Sequence, residues 1–215
     1  MKKPTLMGAL CACIIPLLLS NVSHSAPVAY TDRAAFLAAL PGPSNTLDFN
    51  SLTTGTLIGD SSTVDGITFN YSVLAGYGVS MQVTGDKELG TNDGGVFQDG
   101  DYFDLTFAAS NAVGMDFISS DGMLDGDIIL TAGGASVGLL VTDATDLGGN
   151  WYAYFLGIVD DASPFTTAGI TTHGGGGAFL FTVDDITTSA VPLPPALGLF
   201  VLGLVSLAGW RQHSS

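Results

Sequence analysis

The chain is 215 residues long and holds 20 Asp and Glu against 5 Lys and Arg, a formal charge of −15. A surface this negative repels nucleic-acid phosphates and anionic lipid headgroups, which argues against a nucleic-acid partner and favours cations, neutral sugars or basic partners; the simpler reading is that the acids keep a Gly-rich protein soluble. Lys2, Lys3 and Arg211 stand in the end segments and Cys11 and Cys13 in the N-terminal apolar stretch. The body therefore keeps only Arg33 and Lys87 as cations, and it has no disulfide framework, thiolate metal site or cysteine nucleophile.

In chain order, Met1-Lys2-Lys3 supplies a short positive region and residues 6–19 an uncharged apolar stretch. Small residues follow at Ser23, Ser25 and Ala26. This is the pattern of a secretory signal peptide spanning 1–25, with cleavage between Ser25 and Ala26 by signal peptidase. Next, residues 31–40 combine a cap residue, strong helix formers and a Pro41-Gly42-Pro43 stop, which predicts one short helix with Phe36, Leu37 and Leu40 as its apolar stripe.

The period then changes to two. Residues 46–50 and 66–71 alternate, and further strands are predicted at 79–83, 102–108, 112–118, 127–131, 136–141, 150–159, 168–172 and 178–183. Glu88 is the only Glu, and Asp and 29 Gly fill the intervals. Asp favours turns because its short carboxylate bonds nearby backbone N–H groups. Many short strands separated by turn residues predict an all-β body over 26–190, an antiparallel jelly-roll β-sandwich. His173 and the glycines at 174–177 read as a loop connection, and no Lys follows them to make a phosphate cradle.

The C-terminus reads Val191-Pro192-Leu193-Pro194-Pro195, an apolar run over 196–210, then Arg211. As a helix the run would rise about 22 Å, short of the ~30 Å hydrocarbon core. Trp210 suits an interface and Arg211 a cytoplasmic end, so the expectation is a short transmembrane helix acting as a temporary anchor. Val191-Pro192-x-Pro194, a short apolar helix and a terminal basic residue together resemble the PEP-CTERM sorting signal of Gram-negative bacteria. Leu193 stands where the commonest form of that motif has Glu. The resemblance implies that 191–215 is recognised by exosortase, a membrane transpeptidase, and cut near the prolines. The protein would then be exported through the inner membrane, held there transiently, and passed to the cell surface or medium.

The body itself resembles the carbohydrate-binding-module or galactose-binding-like sandwiches that such proteins carry. The matching stretches are Leu47-Asp48-Phe49, Gly66-Ile67-Thr68-Phe69, 127–133, 154–158 and 181–186. The resemblance implies a structural calcium where the first and last strands meet, with Asp48 or Asn50 facing Asp184 or Asp185. By strand parity, Asp185 would share the core face with Phe179 and Phe181, where a carboxylate needs a partner or a metal. The acidic turn at 121–127 and the stretch from Asp86 to Asp93 are further oxygen-rich places; the alternative is that all these are ordinary Asp turns.

Sugar binding would need exposed rings, for which Trp151, Tyr152, Tyr154, Tyr71, Tyr77 and Tyr102 are the candidates, against packing inside a sandwich. A Ser–His–Asp triad would have to use His173 beside four glycines, a poor support for a base. No pair of carboxylates is singled out for hydrolysis. The expectation is a non-enzymatic cell-surface or matrix protein that contributes to an exopolysaccharide. A carbohydrate-binding lectin or adhesin is the alternative, and a secreted hydrolase comes third.

Overall fold

The computed structural model describes residues 26–173 and 179–191. The signal helix and Ser25, the glycines at 174–177, and Pro192, Leu193, Pro194, Arg211 and the C-terminal helix lie outside these residues. Ala26 and Val191 are the first and last described, both exposed. Among the described residues no helix is long and apolar enough to cross a membrane.

The regular structure of the described residues is mostly antiparallel β-strand. Its elements are β1 (Val28–Tyr30), α1 (Arg33–Ala38), β2 (Ser44–Leu47), β3 (Leu57–Ile58), β4 (Ser62–Val64), β5 (Ile67–Asn70), α2 (Ser72–Gly76), β6 (Met81–Val83), β7 (Leu89–Thr91), β8 (Phe97–Gln98), β9 (Tyr102–Ser119), β10 (Ile128–Ala132), β11 (Ala135–Gly138), a 3-10 turn (Val141–Asp143), β12 (Thr145–Gly148), β13 (Trp151–Val159), β14 (Phe165–Thr172) and β15 (Leu180–Ala190).

The strand β9 organises everything else. Along its first half it lies between β5 and β14, with Thr106 facing both Thr68 and Thr167. Along its second half it lies between β13 and β15, with Phe117 facing Tyr154 and Val183. One layer therefore runs β4–β5–β9–β14–β10–β11, and the other carries β13, β9, β15, β7, β6 and β3. The alternation of β9 keeps Phe103, Leu105 and Phe107, then Val113, Met115 and Phe117, in one apolar cluster between the layers, a sandwich-like arrangement. Phe97, Phe103 and Phe181 stack there with centroids 5.1 and 5.3 Å apart, a favoured aromatic geometry. Residues 102–108 and 112–118, read separately from sequence, are thus one continuous strand. The irregular register around Ser110 carries the chain from one layer to the other. The strand expected over 136–141 stops at Gly138 and is followed by the 3-10 turn.

The helix α1 lies on the outer face of the second layer. Asp32 caps it by accepting from the Ala35 N–H at 2.6 Å. Phe36 is fully buried with Ala112, Phe155 and Val159, and Leu40 packs at the edge. Leu37, expected in the stripe, is 44% exposed; a helix of six residues buries little more than one side chain. The Phe36 and Phe155 rings rest on a pair of cross-strand glycines, Gly114 and Gly157. A Cβ on Gly157 would come within 2.6 Å of Phe36 and 2.8 Å of Phe155, so only glycine leaves room for the rings.

Candidate functional site

The outer face of the first layer is polar. Alternation sends Phe103, Leu105 and Phe107 inward and leaves Tyr102, Asp104 and Thr106 outward. The neighbouring strands repeat the pattern: Asn70 lies opposite Asp104 on β5, Gly169 opposite Asp104 on β14, and Thr131 opposite Gly169 on β10. Ser136 continues the row on β11. The hairpin between β10 and β11 turns through Gly133 and Gly134, both with positive φ (57° and 79°). That is the conformation a two-residue turn of this kind requires.

Together these strands and the hairpin tip enclose an open cleft of about 880 Å³, lined by Asn70, Asp104, Thr106, Thr131, Ser136 and Thr167 with the backbone of Gly169 as its floor. Part of the lining is fixed by internal bonds. Asn70 Nδ2 donates to Thr106 Oγ1 at 3.0 Å, and Thr131 Oγ1 donates to the Gly169 carbonyl at 3.2 Å. The rest is uncommitted: the side chains of Asp104, Ser136 and Thr167 make no hydrogen bond or ion pair with the described residues. A Cβ on Gly169 would stand 2.8 Å from Thr131 Oγ1 and 2.9 Å from Asp104 Oδ1. The glycine thus leaves a hollow into which a hydroxyl and a carboxylate converge. Tyr102, two residues along β9 from Asp104 on the same face, is 46% exposed and flanks the cleft at the end away from the hairpin.

The other aromatic candidates divide. Tyr77 and Trp151 are exposed, at 84% and 45%, whereas Tyr71 and Tyr154 are buried. Tyr71 is a core tyrosine whose hydroxyl donates to the Ile58 carbonyl. Tyr152 is half-buried against the core.

The expected calcium ligands come out differently from their parity. β2 pairs with β15, Leu47 opposite Ile186, which brings Asp48, just past the end of β2, beside the strand that bears Asp185. The carboxylates, however, are engaged locally. Asp48 accepts from the Asn50 N–H at 3.1 Å, across Phe49 with φ 53°; bonds from Asn50 hold its carboxyl below the usual aspartate range. Asp184 accepts from the Asp185 N–H at 2.7 Å. Asp185 has φ 52° and sits in a bulge where β15 gains a residue on β9. One extra residue inverts the alternation, so Ile186 fills the core position and the Asp185 carboxylate turns outward to Arg33 at 2.7 Å. The expectation that Asp185 shares the core face with Phe181 is corrected by that bulge.

Arg33, at the first turn of α1, also pairs with Asp116 of β9, which itself lies opposite Asp184. Burial pushes Asp116 up to about 6 despite the guanidinium beside it. Burial, reinforced by the negative charges of Asp185, Glu88 and Asp116, pushes Asp184 up to about 7. Burial also raises Glu88, whose carboxylate accepts from the Thr182 hydroxyl. Among the described residues no group of three or more His, Cys, Asp or Glu is arranged to hold a metal ion.

The acidic turn at 121–127 serves the backbone. Asp127 accepts from the Leu124 N–H, Asp125 from the Val141 N–H and Asp121 from the Leu180 N–H, at 2.6 to 2.8 Å. Asp93 accepts from the Thr91 hydroxyl at 2.6 Å. His173 is exposed, and its N–H donates to the Asp127 carbonyl.

Sequence reasoning did not reach Asp104, Thr131, Thr167 or Gly169. The available signal was the outward Thr, Asn and Ser at alternate positions of several strands, and it becomes a site only when strands distant in the chain are paired. Compared with family models, with curated proteins and with solved structures, the chain gives no match to any of them.

Proposed function

We propose that this is an exported, non-catalytic surface or matrix protein whose polar sheet face binds polysaccharide. The observation that carries this reading is the open cleft at Gly169, lined by hydroxyl, amide and carboxylate groups, among which the Asp104, Ser136 and Thr167 side chains have no partner among the described residues. A hydroxyl-rich ligand supplies donors and acceptors in the same alternating fashion as those groups, and Tyr102 offers a ring face beside them. The two layers are read as a jelly-roll sandwich, an architecture that lectin domains use to present one sheet face.

Delivery is assigned to the ends: a signal peptide over 1–25, and a sorting signal at Val191, Pro192, Leu193 and Pro194 with Arg211, handled by exosortase at the inner membrane. Two measurements test the reading. Mass spectrometry of the exported protein should find a C-terminus near the prolines in cells with exosortase and an intact C-terminus in cells without it; identical termini refute the sorting assignment. Retardation of the purified exported protein in gels containing polysaccharide, lost on Gly169→Ala, supports the cleft. Unchanged mobility with every polysaccharide tried refutes it.

A further inference from the structure

The charge of the cleft narrows its ligand. Asp104 is the one charged side chain in the lining, and no described residue neutralises it. Neither cation of the body is near enough to do so. Arg33 is held by Asp116 and Asp185 on the outer face of the other layer, and Lys87 donates its ammonium to the Leu52 carbonyl at 2.6 Å. The cleft therefore belongs to a body with a large excess of acids over cations, a balance that draws cations and disfavours uronate or sulfate groups. The floor is equally selective: Gly169 permits close approach to the carboxylate and to the Thr131 hydroxyl, whose proton is given to the Gly169 carbonyl, an arrangement of one anionic and one neutral acceptor.

We propose that the cleft takes a cationic, amino-sugar polysaccharide, with a free amine of the glycan against Asp104 and neighbouring hydroxyls against Thr131 and Thr167. This deepens the polysaccharide reading above and rests on it.

The test is calorimetric titration of the full exported protein at about pH 6, where an amine is charged. Five probes are compared: de-N-acetylated hexosamine oligomers, their N-acetylated counterparts, neutral glucose oligomers, uronate oligomers and oligolysine. The amine form should bind roughly two- to five-fold more tightly than the acetylated form, the range of an exposed ion pair, and the difference should shrink in high salt. Asp104→Asn should abolish that preference while leaving binding of neutral oligomers. Gly169→Ala, whose new methyl meets only side-chain ends, should lose binding of both with an unchanged melting temperature. Equal affinity for amine and acetylated forms, or a preference that survives Asp104→Asn, overturns this proposal and leaves the polysaccharide reading standing. Absence of binding to every oligosaccharide, or binding to oligolysine alone, overturns both.

Discussion

Arg33 shows how much one side chain can carry in a body with two cations. Its guanidinium pairs with Asp116 and Asp185 and lies over the Phe155 ring at 6.0 Å. Replacing it by Met leaves two partly buried carboxylates unpaired, and we expect a loss of about 1–3 kcal/mol at pH 8, measured by urea denaturation. The loss should shrink near pH 5, where Asp116, at about 6, has taken up a proton. Asp184 makes a separate prediction. Its folded carboxyl titrates near 7 against an ordinary 3.8, so between about pH 4 and 7 the folded chain binds more protons than the unfolded one. Stability then falls as pH rises through that window. The melting temperature should climb on acidification from pH 8 to 5, and Asp184→Asn should flatten the climb. A melting temperature that drops over the same range would contradict the burial assigned to both groups.

Among the elements, α1 and β7 depend on glycines that leave room for something else. Gly157→Ala would drive a methyl into Phe36 and Phe155; overpacking of this kind costs about 1–3 kcal/mol. It should loosen α1 selectively, read as faster amide exchange over Arg33–Ala38 than over β9. Phe36→Ala removes the helix's one buried side chain and should cost about 3–5 kcal/mol. In β7 a Cβ on Gly90 would lie 2.0 Å from the Gly95 carbonyl oxygen. That is a backbone clash which no rotamer relieves, so Gly90→Ala should destabilise more than Gly157→Ala in the same urea series. α1 was legible from its cap residue, its helix formers and Pro41. The exposure of Leu37 was not, because which side of so short a helix meets the sheet depends on where the glycine bed lies.

For the molecule as a whole, the surplus of acids is the dominant long-range term. With a charge of −15 over the chain, self-repulsion opposes the compact state, and salt screens it over about 10 Å at 0.1 M. Raising NaCl from about 0.01 to 0.15 M should raise the melting temperature of the wild type. A fall would mean that the Arg33 pairs outweigh the repulsion. Many of the Asp side chains are engaged by backbone N–H groups, which the short carboxylate reaches. Asp121, Asp125, Asp127 and Asp160 each accept backbone donors, which fixes the loops they stand in and satisfies the carboxylates.

The sequence by itself determined the β-rich class, the positions of most long strands, the short capped helix and the acidic character of the surface. Each of these follows from local alternation, capping and turn chemistry, which neighbouring residues decide among themselves. Only the tertiary structure decided that 102–119 is one strand serving two layers, that Asp185 leaves the core at a bulge, and that Asn70, Asp104, Thr131, Ser136, Thr167 and Gly169 line one cleft. These residues come from strands far apart in the chain, and a single extra residue in a ladder reverses which face every later side chain takes. Period-two reasoning can say that a residue points to one of two faces. Strand pairing and bulges say which face it is and what stands beside it there.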